Sequence, residues 1–226
     1  SPRGRSGHEP AGGYHRLADA DQGGADDCDI GGPHRGEMNF HRKCKGMEMA
    51  RKGLNKEAYE EFKEVAATIR EFEKKVIASA DDYQVDGDGP EASACVLDNL
   101  DAWAQADALI PDDINHVGQA VRKWALAASA NAYLRVKSSA PEGSLDSTKV
   151  ARVEDWFGRV ADGVRDYYTD REPRKINNHD YWAAWAVMSS AVATNDCGDW
   201  SWSLNKFDEA MGQIEADGYL PKELSR

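Results

Sequence analysis

The run Asn177-Asn178-His179-Asp180-Tyr181-Trp182 packs the most chemistry into the fewest residues of this chain. It follows a loop and opens the most apolar helical segment. Polar side chains at a buried helix start need a reason. Capping is one: Asn is a preferred N-cap, its side-chain oxygen taking up an orphaned backbone N–H. A nearby anion is another, since the positive end of a helix favours negative charge. Spacing alone leaves both open, and capping is the simpler of the two.

Composition narrows the ligand classes. The chain has 226 residues, 41% hydrophobic and 30% charged, which suits one large globular domain. Its formal charge of −12 argues against nucleic acid as a partner, which needs a basic face. A polyanion could still be gripped if cations are concentrated locally; the candidates are Arg42, Lys43 and Lys45, then Arg122 and Lys123, then Arg174 and Lys175. Seven Trp are present; such rings serve as platforms for sugars, but large helical cores also bury them, and for Trp185 core packing is expected. No stretch approaches the roughly 20 apolar residues of a membrane span, so no membrane partner is expected. The four Cys (Cys28, Cys44, Cys95, Cys197) contain no CxxC pair, and neither a metal nor a cofactor is expected.

The elements that would position these residues are helical throughout. Residues 1–36 have no hydrophobic period and read as an extended or flexible arm. Beyond Lys56, Ala58, Phe62, Val65, Ile69, Phe72 and Val76 mark one apolar face. Further helices are expected at about 91–109 (Ala94, Leu97, Leu100, Ala104, Ala108), 117–137 (Trp124, Ala128, Leu134) and 147–168. The last two, about 179–194 and 200–216, are respectively apolar on most sides and amphipathic, the latter through Trp202, Phe207, Met211 and Ile214. Strand alternation is absent. The expected class is all-α, with paired antiparallel helices in two layers; an α/α barrel fits, and an α-solenoid is its rival.

Several motifs, in order, resemble the alginate lyase family that degrades poly-mannuronate. The run from Asn177 to Met188, continuing through Val192-Ala-Thr-Asn195, is similar to the family signature, with Asp180 where Ser is usual. Leu100-Asp-Ala-Trp-Ala104, Asn115-His-Val-Gly118, Arg122-Lys-Trp-Ala-Leu126 and Ala132-Tyr-Leu134 resemble family helices. Gly218-Tyr-Leu-Pro-Lys-Glu-Leu-Ser-Arg226 resembles a segment reading Gly-Phe-Leu-Pro-Asn-Glu with an Arg close behind. Lys43-Cys44-Lys45-Gly46, followed by Ala50-Arg51, is similar to a lid loop, with Cys44 in place of the lid Tyr.

The resemblance implies an incomplete α/α toroid over residues 37–226, short of the family's C-terminal part, and β-elimination of poly-mannuronate to unsaturated uronate oligosaccharides. The C5 proton becomes removable when the adjacent carboxylate is neutralised and the enolate stabilised; a base must take it and an acid must protonate O4. His179, Asn178 and Arg226 are implied around the carboxylate. The family's acid–base Tyr lies seven residues beyond the position of Arg226, so its part is expected to be missing here. Lys43, Asn115, His116, Arg122, Trp124 and Tyr181 are implied as substrate contacts, with Arg122 and Trp124 pointing apart on their helix so that at most one faces the cleft. Cys28 and Cys95 fall where the family places a bridging pair. The implied compartment is the periplasm, and the implied partners are alginate and the alginate export machinery. Two other readings stand beside this: a truncated or inactive relative that grips alginate without cleaving it, and a helical scaffold for protein partners.

Overall fold

Alanine marks two of the inner helices. The computed structural model describes residues 28, 32–40, 56–85 and 89–224. Its helices are α1 (Lys56–Val65), α2 (Ala67–Val85), α3 (Gly89–Gln105), α4 (His116–Ser139), α5 (Ser147–Tyr168), α6 (Asn178–Thr194), α7 (Cys197–Met211) and α8 (Pro221–Leu224), with a 3-10 turn at Pro173–Lys175. Ala-rich α4 and α6 bury side chains around most of their girth, among them Val121, Ala125, Ala127, Ala130 and Tyr133 on α4 and Ala183, Ala186, Val187 and Ala191 on α6. Small residues let neighbouring helices close in from several directions. By contrast α5 buries one stripe, Val153, Trp156, Phe157, Val160, Ala161, Val164 and Tyr168, as a helix covered on one side should.

The result is two layers of antiparallel pairs. Inner helices α2, α4 and α6 pack side by side, and outer helices α3, α5 and α7 back them. The inner helices run parallel: Arg70 near the start of α2 lies over Trp124, while Asp81 near its end pairs with Arg135 near the end of α4. Likewise Lys137 at the end of α4 donates to the Ala193 carbonyl at the end of α6. The N-terminal ends of the inner helices therefore gather at one end, beside the C-terminus of α5. Between the layers, Phe72 stacks on Trp103 with ring centroids 3.7 Å apart. Ion pairs Asp98–Lys149 and Asp101–Arg152 join α3 to α5, and Asp107–Arg159 joins the turn after α3 to α5. Among the described residues no β-strand forms; a single bridge links Met38 to Ile114.

The structure corrects the sequence reading at four places. The first helical run breaks at Ala66, where a turn shifts the register: Ala66 is buried and Val65 is 45% exposed. The second run ends at Gln105, and Asp107 and Leu109 take positive φ so that Ala108 and Leu109 can turn inward; Ala94 faces solvent, and Ser93 and Val96 take the inner positions. On α7, Phe207 and Met211 are exposed, as is Ile214 just beyond it. Trp185, expected in the core, is 46% exposed beside Trp182. Amphipathic spacing tells which face is apolar, not what covers it. Most of residues 1–36 lie outside the described residues.

Two ties hold the N-terminal segment to the helices. Cys28 and Cys95 are bonded, with Cα atoms 5.5 Å apart, anchoring residue 28 to α3. Residues 32–40 then cross the start of α4: Met38 N–H donates to the Asp113 carbonyl, and Asn115 donates to the Phe40 carbonyl. This crossing requires Gly118, because a Cβ there would sit 1.8 Å from the Met38 carbonyl oxygen.

Two outcomes follow. Gly118→Ala should lose about 1–3 kcal/mol or more, the usual range for overpacking, read as a fall in the midpoint of urea unfolding; backbone cannot give way as a flexible side chain could. Reduction of Cys28–Cys95 should lower stability by roughly 2–4 kcal/mol, and thiol titration of unfolded, unreduced protein should find only Cys44 and Cys197.

Candidate active site

Caps set where α4 and α6 begin. Asn115 accepts from the N–H groups of Val117 (3.0 Å) and Gly118 (2.9 Å), so His116 becomes the first residue of α4, with an exposed side chain. Its Nδ1 lies 2.8 Å from the Tyr167 hydroxyl of α5. On α6 the cap is Asn177, which accepts from His179 N–H at 2.9 Å. A capping box closes with Asp180, which accepts from Asn177 N–H at 2.9 Å and pairs with Arg171 at 2.8 Å. Asp180, the departure from the resembled signature, is thus a buried structural group.

With both starts fixed, the two imidazoles meet: the rings of His116 and His179 are 5.9 Å apart, and Trp124 lies 6.0 Å from His179. Behind them sits Lys123, with no exposed surface. Its Nζ is 2.8 Å from His179 Nδ1 and 2.8 Å from the Tyr168 hydroxyl, to which it donates. The same amine stands 5.2 Å from the Trp124 ring and 4.7 Å from the Tyr168 ring. Arg70 covers Trp124 at 5.3 Å, and Arg171 covers Tyr168 at 5.3 Å. Cations, aromatic faces and two helix N-termini therefore share one end of the bundle, an arrangement that attracts anions.

Other expected residues fall differently. Arg122, one residue from Lys123, is turned away: its guanidinium is buried against α5, donating to the Gly163 carbonyl and to Gln119. Burial pushes its pKa down to about 10. Asn115 directs its side chain to the helix start and to Phe40 rather than to His179. Tyr181 donates to Gln213 at 2.7 Å. The N–H of Asn178 donates to the Glu223 carboxylate at 2.7 Å, which ties α8 to the start of α6. Lys43 and Arg226 lie outside the described residues, as do Arg42, Cys44, Lys45 and the side chain of Arg174; Lys175 is exposed and pairs with Glu172. The sequence reading named Lys123 only as one of many cations and missed Tyr167, Tyr168, Arg70 and Arg171. Among the described residues no cluster of His, Cys, Asp and Glu could hold a metal ion, and no helix is long and apolar enough to cross a membrane.

Burial strips water from Lys123 and pushes its pKa down to about 7, with Asp180 pulling it back up and Arg171 adding to the fall. Above that value the folded chain has released a proton that the unfolded chain keeps up to the ordinary lysine range, so stability rises with pH across the window. The Tyr133 and Tyr168 hydroxyls, pushed up chiefly by burial, oppose this only above the ordinary tyrosine value of about 10. Urea unfolding should therefore show stability rising between about pH 7 and 10, by up to about 1.4 kcal/mol per pH unit. Lys123→Met should flatten that rise.

Comparison with known proteins gives the family. The family profile described as Alginate lyase matches residues 42–226. An alginate lyase of Azotobacter vinelandii is 39% identical over 219 residues, covering 96% of this chain and 58% of that protein. One from Cobetia marina is 37% identical over 221 residues, covering 96% and 59%. The chain thus spans under two thirds of the length of these relatives. The structure of alginate lyase A1-III from Sphingomonas species A1 matches with a TM-score of 0.72 at 27% identity, over 88% of this chain and 55% of that one. A Tyr-to-Phe variant of alginate lyase A1-III complexed with a tetrasaccharide matches at 0.76 and 28%, over the same shares. The paired layers are accordingly part of an α/α toroid. This chain belongs to the alginate lyase family.

Proposed function

We propose that this protein is a polysaccharide lyase that cleaves poly-β-D-mannuronate by β-elimination. The observation that carries the reading is the meeting of His116, Trp124 and His179 where α4 and α6 begin, with Lys123 behind them. A uronate offers a ring face and a carboxylate. Trp124 suits the first, and an imidazole N–H at a positive helix end suits the second. In the elimination, His179 and Asn178 hydrogen-bond the carboxylate, so that charge moving onto it as C5 loses its proton is stabilised. The Glu223 contact to Asn178 supports a role for Arg226, which follows three residues later in the chain. Lys43, His116 and Tyr181 are proposed substrate contacts, whereas Asn115 and Arg122 are engaged elsewhere. Transfer of the C5 and O4 protons falls to the Tyr that the resemblance puts beyond Arg226. The Cys28–Cys95 bond fits the proposed periplasmic setting, because such bonds persist where the compartment is oxidising. The alginate export machinery is the proposed partner there.

A second reading, binding without cleavage, stands on the same site and differs only in proton transfer. Calorimetry with mannuronate oligosaccharides and ultraviolet absorbance of the new double bond separate the two. Binding should weaken with added salt, as contacts between cations and carboxylates do. His179→Ala should weaken it about 10- to 150-fold, the worth of a charged hydrogen bond of about 1.5–3 kcal/mol. Turnover by these 226 residues should fall about 10²–10⁴-fold short of a chain that carries the Tyr. A folded sample that neither binds nor cleaves would favour the protein-interaction scaffold.

A further inference from the structure

We propose that Lys123 is a positioning residue that locks His179 in its Nε2-protonated tautomer, with Nδ1 facing inward as an acceptor. The inference rests on the reading of His179 as the group that meets the uronate carboxylate, and it says how that group is kept ready.

The argument is one of donors and acceptors. An ammonium has donors only. A charged Lys123 within 2.8 Å of His179 Nδ1 therefore demands a lone pair on that nitrogen, which leaves the ring proton on Nε2. A neutral Lys123 still carries two N–H groups and can keep the same arrangement, giving one hydrogen to the Tyr168 hydroxyl 2.8 Å away and one to Nδ1. Burial keeps the Tyr168 hydroxyl protonated. Protonating Nδ1 would set two donors against each other whenever Lys123 is charged.

The surroundings hold the contact in place. Lys123 has no exposed surface, so water cannot replace it as the partner of Nδ1. The N–H of His179 is fixed by the Asn177 cap, and its ring neighbours those of His116 and Trp124. Among the described residues the charges near the pair include Asp180 on α6, Glu223 on the Asn178 N–H, Arg171 before α6, and Arg70 with Glu73 on α2 across Trp124; Arg122 is turned toward α5. Of the two ring nitrogens, Nε2 points away from Lys123. An N–H biased to the outer nitrogen is a preorganised donor, the kind that contributes most when charge develops on an oxygen. A merely space-filling residue here would be better served by an apolar side chain, because a buried amine carries a desolvation penalty.

The test is nitrogen NMR of the 226-residue chain labelled with ¹⁵N-histidine, near neutral pH, with His179 assigned by comparison with His179→Gln. The expected result is a pyridine-type Nδ1 and a pyrrole-type Nε2, in place of the averaged shifts of a free imidazole. Lys123→Met should move both nitrogens toward the averaged position, while Lys123→Gln, which keeps an N–H donor, should retain the locked pattern. A protonated Nδ1 in the unaltered chain overturns the proposal, and so do unchanged shifts in Lys123→Met. Should Lys123→Met fail to fold, the spectra of the unaltered chain and of Lys123→Gln decide alone. Titration with mannuronate oligosaccharides then tests the reading beneath it: a locked ring whose Nε2 signal ignores the sugar would sink the proposed role of His179 and leave that of Lys123 standing.

Discussion

An amine with no exposed surface must find its hydrogen bonds inside the protein. Lys123 finds them where α4, α5 and α6 meet, at Tyr168 and His179. That requirement holds three helices in one register, since a slip of one turn, about 5.4 Å, would separate any of the three partners. The caps at Asn115 and Asn177 belong to the same arrangement. Each fixes the residue at which its helix starts, and so brings the His116 and His179 rings together, tilted by 54°. Gly118 belongs to it too: the close passage of Met38 over α4 brings in Phe40, whose carbonyl holds Asn115.

Layering follows from side-chain size and sets the direction of the site. Helices backed on several sides must be narrow where neighbours press in, and Gly, Ala and Ser fill many of the buried positions of α4 and most of those of α6. Short loops between antiparallel partners return the chain to the same end, so inner helices run parallel and their N-termini accumulate together. An end that collects helix N-termini carries positive potential before any side chain is counted. Topology thus places the proposed site at that end, with residues from the first three turns of α4 and the first turn of α6.

Much of this was legible in the sequence, for identifiable reasons. Apolar spacing marked the helices within a few residues, and an all-round apolar pattern marked α6 as inner. The Asn177–Trp182 run drew attention because its polar residues stood at the start of so apolar a helix; spacing alone favoured a cap, and the resemblance made it the proposed site. What stayed hidden depended on partners far away in the chain. Arg122 and Lys123 look like one solvated cationic pair; only the phase of α4 against α5 and α6 sends the first to Gly163 and the second to His179. The positive φ of Asp107 and Leu109 carries no Gly or Pro to announce it. Trp185 looked like core because burial was inferred from hydrophobicity, whereas exposure depends on which neighbours lie against that face.

The charge of −12 is compatible with a polyanionic ligand once the acids are located. On the outer layer, Asp98, Asp101 and Asp107 face Lys149, Arg152 and Arg159, pairs that contribute little stability where they are exposed but neutralise one another. At the histidine end, Asp180 and Glu223 accept from N–H groups at the start of α6, and Asp180 also faces Arg171. Arg70, Lys123 and Arg171 lie among the aromatic rings at that same end. Salt at physiological strength screens exposed charges beyond about 8 Å. A carboxylate arriving at the proposed site beside His179 would therefore respond to the nearest helix ends and cations, while the three α5 pairs, neutral in sum, add little to the field there.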